Sequence, residues 1–310
     1  MEIKTNSRLE KVLKNGHMAV TSECGPPRSS DPAHIIEKGH LIKNHVDAIN
    51  ITDNQTSVTR LCSLAACIHL KQEGLEPVLQ MVVRDRNRIA LQSDILGAAS
   101  HGIHSMLCLS GDHQRFGDSP EGQNVFDIDS MQLLQTVRYM RDEGKFLGGD
   151  AIKVPPNMFV GAAANPFADP FEIRVPRLAK KIAAGAEFIQ TQCVYNLDKF
   201  ELWMKGVVER GLHEKVFIMP GITPMRSVGM AKYMARAVPG MDVPKELIDR
   251  LSSVPKDKQS EEGITIAVEA MDRLKECTGV AGFHIMAIEW EEKVPEMVER
   301  AGLYPRPEID

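Results

Sequence analysis

The sequence predicts an α/β protein folded as a single (β/α)8 barrel, with extra helices before the eighth strand. Short β-type runs alternate with longer segments of helical periodicity, which is typical of βαβ units around a parallel sheet. Eight such units follow one another along the 310 residues. That length suits one barrel of roughly 250 residues with extensions. No linker separates two halves, so residues 1–310 are predicted to form one barrel domain.

Each predicted strand is a run rich in apolar and β-branched residues that ends at polar or turn-forming residues. The eight runs are Met18–Glu23, Val46–Ile51, Pro77–Val83, His104–Ser110, Asn157–Ala163, Glu187–Gln192, Val216–Met219 and Val280–Ile285.

A segment of helical spacing follows each strand. These segments are Pro32–Asn44, Ser57–Gln72, Arg88–His101, Ser130–Glu143, Pro170–Ala184, Asn196–Arg210, Pro224–Ala237 and Glu289–Ala301. Two further helical stretches, Pro244–Ser252 and Glu261–Cys277, precede the eighth strand and are interpreted as additions to the barrel.

The alternative architecture is a doubly wound open sheet. That fold would need a glycine-rich fingerprint after its first strand. The sequence there reads ECGPPRSSDP, which is no such fingerprint. The Gly- and Pro-rich stretches Gly111–Asn124 and Gly144–Asn157 are predicted to be long barrel loops.

Composition and charge exclude several classes of protein. The chain is 43% hydrophobic and 25% charged, which excludes a disordered or collagen-like protein. Its formal net charge of −5 gives no basic field for a nucleic-acid backbone. The longest weakly polar stretch, Val154–Ala168, is interrupted by three prolines, so no membrane span is predicted.

The cysteines form neither a CxxC pair nor a cluster with ligand spacing, so no metal site is predicted. The N-terminal segment interleaves charges with single apolar residues and lacks a signal-peptide core. We therefore expect a cytoplasmic protein with reduced thiols whose chain starts near Met1. The six thiols are those of Cys24, Cys62, Cys67, Cys108, Cys193 and Cys277.

Polar residues close most of the predicted strands. In a (β/α)8 barrel the catalytic groups gather at the carboxyl ends of the strands. Those positions hold Glu23, Asn50, Thr52, Asp53, Gln80, Asp112, Asn165, Gln192 and His284. Any one of them alone could be a loop cap, but two carboxylates and two amides directed at one mouth favour a functional site.

Glu23 and Asp112 are the candidate catalytic carboxylates. Glu23 follows an apolar strand and precedes a proline pair, so we expect a partly desolvated acid that holds a proton near neutral pH. The alternative for Glu23 is a salt bridge to Arg28. Asp112 follows Gly111, which would let a ligand approach the backbone closely. The alternative for Asp112 is an Asx turn.

Three further positions are candidates for binding. The Gln192 amide presents a donor and an acceptor in one plane, which suits the edge of a heterocycle. His284 is either a functional group or a hydrogen-bonded histidine of the barrel. The pair Lys180 and Lys181 is either a solvated helix face or a contact to a cofactor phosphate.

In order and spacing, six motifs resemble the methylenetetrahydrofolate reductase family over nearly the whole chain. They are Glu23 with a downstream Pro-Pro pair, Ser-Gly-Asp112, Lys-Lys-x4-Gly-Ala, Thr191-Gln192, Pro220-Gly221-Ile222-x-Pro224 and Gly-Phe-His284. The combination is specific, whereas any one motif would be commonplace. The resemblance implies a barrel flavoprotein that interconverts 5,10-methylenetetrahydrofolate and 5-methyltetrahydrofolate in one-carbon metabolism, as in methionine biosynthesis or acetogenesis.

The resemblance also implies residue roles. Glu23 would protonate the folate nitrogen and open the imidazolidine ring to an iminium ion. Asp112 would tune the flavin and stabilise that cation, and a hydride would then pass from flavin N5 to the methylene carbon. Substrate contacts are implied for Gln192, Met234 and His284. Cofactor contacts are implied for Asn50, Thr52, Gln80, Ser110, Gly111, Asp112, Ala163, Asn165, Lys180 and Lys181.

Several positions depart from many bacterial members of that family. Ser110 stands in place of an arginine, Arg174 in place of an acid and Gln80 in place of a histidine that contacts the flavin. We therefore expect either FAD or FMN as the cofactor. Met234 stands where those members carry an aromatic ring that stacks on the nicotinamide nucleotide or the folate, which argues against direct reduction by NADH.

The insertion Gly144–Asp150 is similar to the reductases of anaerobic acetogens, which pair with a cysteine-rich subunit. We therefore predict an electron-donating partner subunit with iron–sulfur or zinc cysteines, and an oligomer or hetero-complex. NAD(P)H remains the other possible electron donor.

Two other functions stay open at this stage. A pterin-binding methyltransferase on the same barrel would need no flavin. A non-catalytic electron-relay subunit would have no use for an acid at the barrel mouth, so Glu23, Asp112 and Gln192 argue against it.

Overall fold

The computed structural model describes residues 3–238 and 240–309 of the chain. The ends of the predicted domain, residues 1 and 310, lie outside these ranges. The described residues form a closed barrel of eight parallel strands in chain order. Because β8 pairs with β1, the predicted (β/α)8 barrel is confirmed and the open doubly wound sheet is wrong. The strands are β1 Ala19–Cys24, β2 Ala48–Ile51, β3 Pro77–Val82, β4 Ser105–Leu109, β5 Phe159–Ala164, β6 Phe188–Cys193, β7 Phe217–Ile222 and β8 Gly282–Ile285.

Helices surround the barrel, and the two predicted additions before β8 are present. They are α1 Arg8–Lys14, α2 Ala33–Ile42, α3 Ser63–Gln72, α4 Arg88–Ser100, α5 Ser130–Asp142, α6 Arg174–Ala184, α7 Leu197–Glu209, α8 Val228–Ala237, α9 Lys245–Ser253, α10 Gln259–Lys275 and α11 Val294–Arg300. Helix α5 begins at a capping box, in which the Asp129 side chain accepts from the Gln132 backbone N–H and the Gln132 side chain accepts in return.

Several element boundaries differ from the sequence prediction, among them those of β7, α3 and α11. Strand β7 continues through Pro220 to Ile222, because Gly221 and Ile222 stay in register with β8. Helix α3 begins at Ser63 and not at Ser57, because Ser57 has a left-handed φ of 59°. Helix α11 begins at Val294 after one 3-10 turn.

Helix α1 was not predicted from the sequence, and it closes the lower end of the barrel. Its Leu9, Val12 and Leu13 pack into one cluster with buried strand residues. Among these, the rings of Phe159 and Phe188 stack with their centroids 5.0 Å apart. Among the described residues, the lower half of the barrel interior is therefore filled by apolar side chains, which leaves the interior open toward the opposite end.

No described helix is both long enough and apolar enough to cross a membrane.

The seam that closes the barrel depends on a residue without a side chain. Gly282 of β8 lies opposite Ala19 of β1. A Cβ atom at Gly282 would lie 2.3 Å from the Ala19 carbonyl oxygen, and backbone atoms cannot move aside as a flexible side chain can.

We expect Gly282→Ala to lower the free energy of unfolding by about 1–3 kcal/mol, the usual effect of overpacking a buried position. Urea denaturation followed by circular dichroism measures it. Gly148→Ala is the matched control, since nothing lies within 4 Å of a Cβ at that position. Equal stabilities for the two variants would show that the seam tolerates a methyl group.

Candidate functional site

A cavity of about 580 Å³ opens at the carboxyl ends of the strands. Its volume falls in the range of small-molecule and cofactor sites. Six of the predicted site residues line it, namely Glu23, Gln80, Ala163, Asn165, Gln192 and His284, and Lys181 of α6 is a seventh.

Glu23 lies in the wall of this cavity with 15% of its side chain exposed. The Gln80 amide donates to Glu23 Oε2 at 2.9 Å. The Nε2 atom of His284 lies 3.7 Å from the same oxygen. Arg28 pairs with Asp118 at 2.7 Å, so the salt bridge considered for Glu23 does not form. The carboxyl is thus oriented by an amide and an imidazole, and no Lys or Arg among the described residues pairs with it.

A chain of buried hydrogen bonds supports this arrangement from below. His284 Nδ1 lies 3.0 Å from Thr21 Oγ1, which accepts from Gln190 Nε2 at 3.0 Å. Gln190 in turn exchanges two hydrogen bonds with Asn50, at 2.7 and 3.0 Å. The Thr21 hydroxyl also donates to the Phe283 carbonyl oxygen at 3.4 Å, so this one hydroxyl links Gln190, the β8 backbone and His284.

Asn50 therefore lies beneath the cavity, with both ends of its amide bonded to Gln190. Gln190 lines the cavity, and the sequence analysis missed it. A signal for Gln190 was present, since residues two apart on a strand point to the same face and Gln192 was already a candidate.

Three cations of helix α6 line another part of the cavity wall: Arg174, Arg177 and Lys181. Lys181 Nζ donates to the Ala163 carbonyl oxygen. Burial, together with the nearby positive charge of Arg177, lowers the pKa of Lys181 to about 8. Lys180 is exposed and does not line the cavity, because adjacent residues on a helix point about 100° apart.

Asp112 lies outside the cavity, on the exposed loop after β4. Its carboxylate accepts from the Thr56 backbone N–H at 3.0 Å, a contact between distant loops and not the Asx turn considered above. Thr56 and Ser57 have left-handed φ angles of 54° and 59°. Gln55 of the same loop lines the cavity. Asp112 therefore contacts a loop with left-handed backbone angles that forms part of the cavity wall.

Of the other predicted cofactor contacts, Asn165 lies in the cavity wall, Thr52 in the interior and Ser110 on the surface. Asn165 lines the cavity, but its Oδ1 accepts from the backbone N–H groups of Phe167 and Ala168 and its Nδ2 donates to the Gly240 carbonyl. Thr52 is buried, with no partner for its hydroxyl among the described residues. Ser110 and Gly111 do not line the cavity, and the Ser110 hydroxyl bonds to that of Ser130 at 3.1 Å.

Met234, predicted to contact substrate, is 5% exposed and lies outside the cavity wall. The Tyr195 hydroxyl donates to its sulfur at 3.1 Å. Met234 packs in a separate apolar cluster that also contains Leu251 of α9. Helix α8 thus turns this side chain toward α9 and away from the mouth.

The amides and cations of the cavity wall suit an organic ligand that carries an anionic group. The Gln80 amide contacts Glu23, the Gln192 amide lies in the same wall, and cations of α6 that have no salt bridge among the described residues complete it. In the part of the chain that the structure describes, no cluster of three or more His, Cys, Asp or Glu side chains could hold a metal ion.

Comparisons with known proteins agree on one family. The family described as methylenetetrahydrofolate reductase matches residues 8–302. A probable methylenetetrahydrofolate reductase (NADPH) of Caenorhabditis elegans is 24% identical over 96% of this chain and 44% of its own length. Methylenetetrahydrofolate reductase 2 of Schizosaccharomyces pombe is 26% identical over 77% of this chain and 36% of its own length. The chain thus spans less than half the length of these relatives.

One solved structure has the same fold. It is an uncharacterized protein from Clostridium thermocellum, described as binding two copies of 5-methyl-5,6,7,8-tetrahydrofolic acid. It is 16% identical, with a TM-score of 0.63 and coverage of 95% of this chain and 98% of that one. At this identity the likeness establishes the fold alone.

The pKa of Lys181 predicts how stability depends on pH. Between about 8 and its usual 10.5, the unfolded chain binds a proton at Lys181 that the folded chain does not. The stability of the ligand-free protein should therefore rise with pH across this window relative to Lys181→Met. Urea denaturation of both proteins from pH 7 to 10.5 measures the difference. Parallel stability curves would contradict the burial of this amine.

Proposed function

Because the chain belongs to the methylenetetrahydrofolate reductase family, we propose that it catalyses the reversible, flavin-dependent reduction of 5,10-methylenetetrahydrofolate to 5-methyltetrahydrofolate. The observation that carries the proposal is the position of Glu23. A mostly buried carboxyl with no Lys or Arg partner in the described part of the chain faces a cavity large enough for a small organic substrate. Such a group can hold a proton and deliver it to a bound base.

Glu23 delivers that proton to the folate nitrogen, which opens the imidazolidine ring to an iminium ion. The Gln80 amide and the His284 imidazole hold the carboxyl in position for this transfer. The return reaction takes the proton back, so the same two neighbours orient Glu23 in both directions. The surrounding buried hydrogen bonds keep the acid from rotating away from the substrate.

Gln192 binds the edge of the pterin. Its Oε1 accepts from the Cys193 backbone N–H at 3.1 Å, which leaves the amide NH2 group for an acceptor on the substrate. Asp112 contributes negative charge near the mouth, where the iminium ion carries positive charge. Its contact with the Thr56 N–H holds the loop that carries Gln55 into the cavity wall.

The residues of the cavity suit a flavin. Arg174, Arg177 and Lys181 would hold its phosphate, and the small side chains of Ala163 and Ala164 leave space for a flat ring. A bound flavin supplies the hydride at N5, and the protein supplies orientation and charge. The pterin-binding methyltransferase considered above needs no flavin, so bound flavin in the purified protein distinguishes the two functions.

We propose that electrons arrive from a partner subunit. The Gly144–Asp150 insertion forms a small hairpin in which the Phe146 N–H donates to the Asp150 carbonyl at 2.9 Å. The Leu147 N–H donates to Gln92 of α4, which holds the hairpin against the barrel surface. This added surface, together with Met234 packed out of reach of the mouth, supports a protein donor over NAD(P)H. We further propose a single barrel domain that acts in the cytoplasm within such a complex.

Glu23→Gln should keep flavin binding and lose folate reduction by about 10²-fold or more, because the amide cannot act as a general acid. Anaerobic oxidation of 5-methyltetrahydrofolate with a dye acceptor measures the rate, and the visible spectrum reports bound flavin. Glu37→Gln on the exposed side of α2 is the matched control. Turnover of Glu23→Gln within a few fold of the control would remove Glu23 from the mechanism.

The isolated chain should reduce a dye with 5-methyltetrahydrofolate but not with NADH or NADPH, because the proposed route for electrons is a partner protein. Both reactions are followed in one anaerobic preparation, so the folate-dependent rate is the control for an active protein. Rapid reduction of the dye by NADH would contradict the partner donor and leave the folate chemistry intact.

A further inference from the structure

A pair of amides crosses the barrel interior beneath the cavity. Asn50 lies on β2 and Gln190 on β6, four strands away in the closed barrel. Asn50 Nδ2 donates to Gln190 Oε1 at 2.7 Å, and Gln190 Nε2 donates to Asn50 Oδ1 at 3.0 Å. Both side chains are buried. Two hydrogen bonds in opposite directions fix the orientation of both amides, because a flip of either one would set like groups against each other.

The second N–H of the Gln190 amide is directed at Thr21. It donates to Thr21 Oγ1 at 3.0 Å, so both N–H groups of this amide are used inside the barrel. Gln190 therefore has no N–H left for a ligand, although its side chain lines the cavity. The Thr21 side chain is completely buried and is held at this place by the amide.

The His284 ring lies between Thr21 and the acid. Its Nδ1 atom is 3.0 Å from Thr21 Oγ1, and its Nε2 atom is 3.7 Å from Glu23 Oε2. In the described part of the chain, Thr21 makes the hydrogen bond that fixes this ring. A displacement of Thr21 would therefore move the imidazole beside Glu23 and leave the Gln80 amide as the other contact of that carboxyl.

We propose that the Asn50–Gln190 pair positions the Glu23 carboxyl, an assignment that rests on the proposed function. The pair fixes the Thr21 hydroxyl, and that hydroxyl holds the His284 ring beside the acid. Asn50, for which the sequence implied a cofactor contact, acts from below the cavity as a positioning residue. Direct contact of Gln190 with the substrate would not involve Asn50, since Asn50 does not line the cavity.

The experiment measures single-turnover reduction of the bound flavin by 5-methyltetrahydrofolate without oxygen. The absorbance of oxidised flavin over a range of folate concentrations gives the rate at saturation and the half-saturating concentration. Asn50→Leu, Gln190→Met and the double variant conserve side-chain volume and remove the hydrogen bonds. Each is made in the wild type and in Glu23→Gln. Thr136→Val is the control, because it removes a buried hydroxyl of α5 that bonds only to the Gln132 carbonyl.

Asn50→Leu and Gln190→Met should each lower the saturating rate by about tenfold to 10²-fold, the effect of a misplaced catalytic group. The double variant should be no slower than the slower single variant, because the two amides act as one unit. The half-saturating folate concentration should stay within about twofold. In Glu23→Gln the same changes should have no further effect on the rate, and Thr136→Val should keep the wild-type rate.

Thr21 gives a second test with smaller changes. Valine has the shape of threonine without the hydroxyl, so Thr21→Val should slow the reaction in the same way. Thr21→Ser keeps the hydroxyl and should retain most of the rate. Equal rates for these two variants would show that the hydroxyl does not transmit the position of the amide pair.

Two further results would overturn the positioning role and leave the flavin-dependent function standing. In the first, Asn50→Leu reacts at the wild-type rate while Gln190→Met raises the half-saturating folate concentration, which would make Gln190 a substrate contact. In the second, the losses persist in full in Glu23→Gln, so the pair would not act through the acid. Failure of the wild-type flavin to react with the folate would instead overturn the proposed function and this role together.

Discussion

The orientation of Glu23 depends on a line of hydrogen bonds that crosses the barrel interior. It starts at Asn50 on β2, reaches Gln190 on the opposite strand β6, and returns through Thr21 to His284 beside the acid. These groups are buried, so leaving one without its partner costs about 1–3 kcal/mol. The apolar filling below and the open cavity above confine this polar layer to one level of the barrel.

An acidic side chain and a group of basic side chains lie on different sides of the cavity above that layer. On one side lies the Glu23 carboxyl, which accepts from the Gln80 amide and has no Lys or Arg partner among the described residues. On the other side helix α6 presents cations that the protein leaves unpaired, and burial lowers the pKa of Lys181 to about 8. The proposed chemistry needs an acid beside the pterin and a firmly held cofactor. Glu23 would supply the acid, and the cations of α6 would hold the cofactor.

The alternation of strands and helices in the sequence predicted the barrel. The polar residues at the carboxyl ends of the strands predicted much of the cavity wall. The prediction was wrong for side chains whose position depends on the rotation of a helix or on contacts between loops. Met234 faces α9, and Asp112 bonds to a loop 56 residues away in the chain. Gln190 was missed because it lies in the middle of strand β6, whereas the sequence analysis looked for site residues at the ends of strands. The short helix α1 was missed because its four charged residues hide the helical spacing of its three apolar residues, which pack under the barrel.

The central claim is that this cavity holds a flavin and a folate together with an acid that connects them. The most direct test is to mix the anaerobic flavin-loaded protein with 5-methyltetrahydrofolate and record the absorbance of oxidised flavin. The account predicts bleaching of that band as the folate is oxidised. A flavin that stays fully oxidised under these conditions would contradict it.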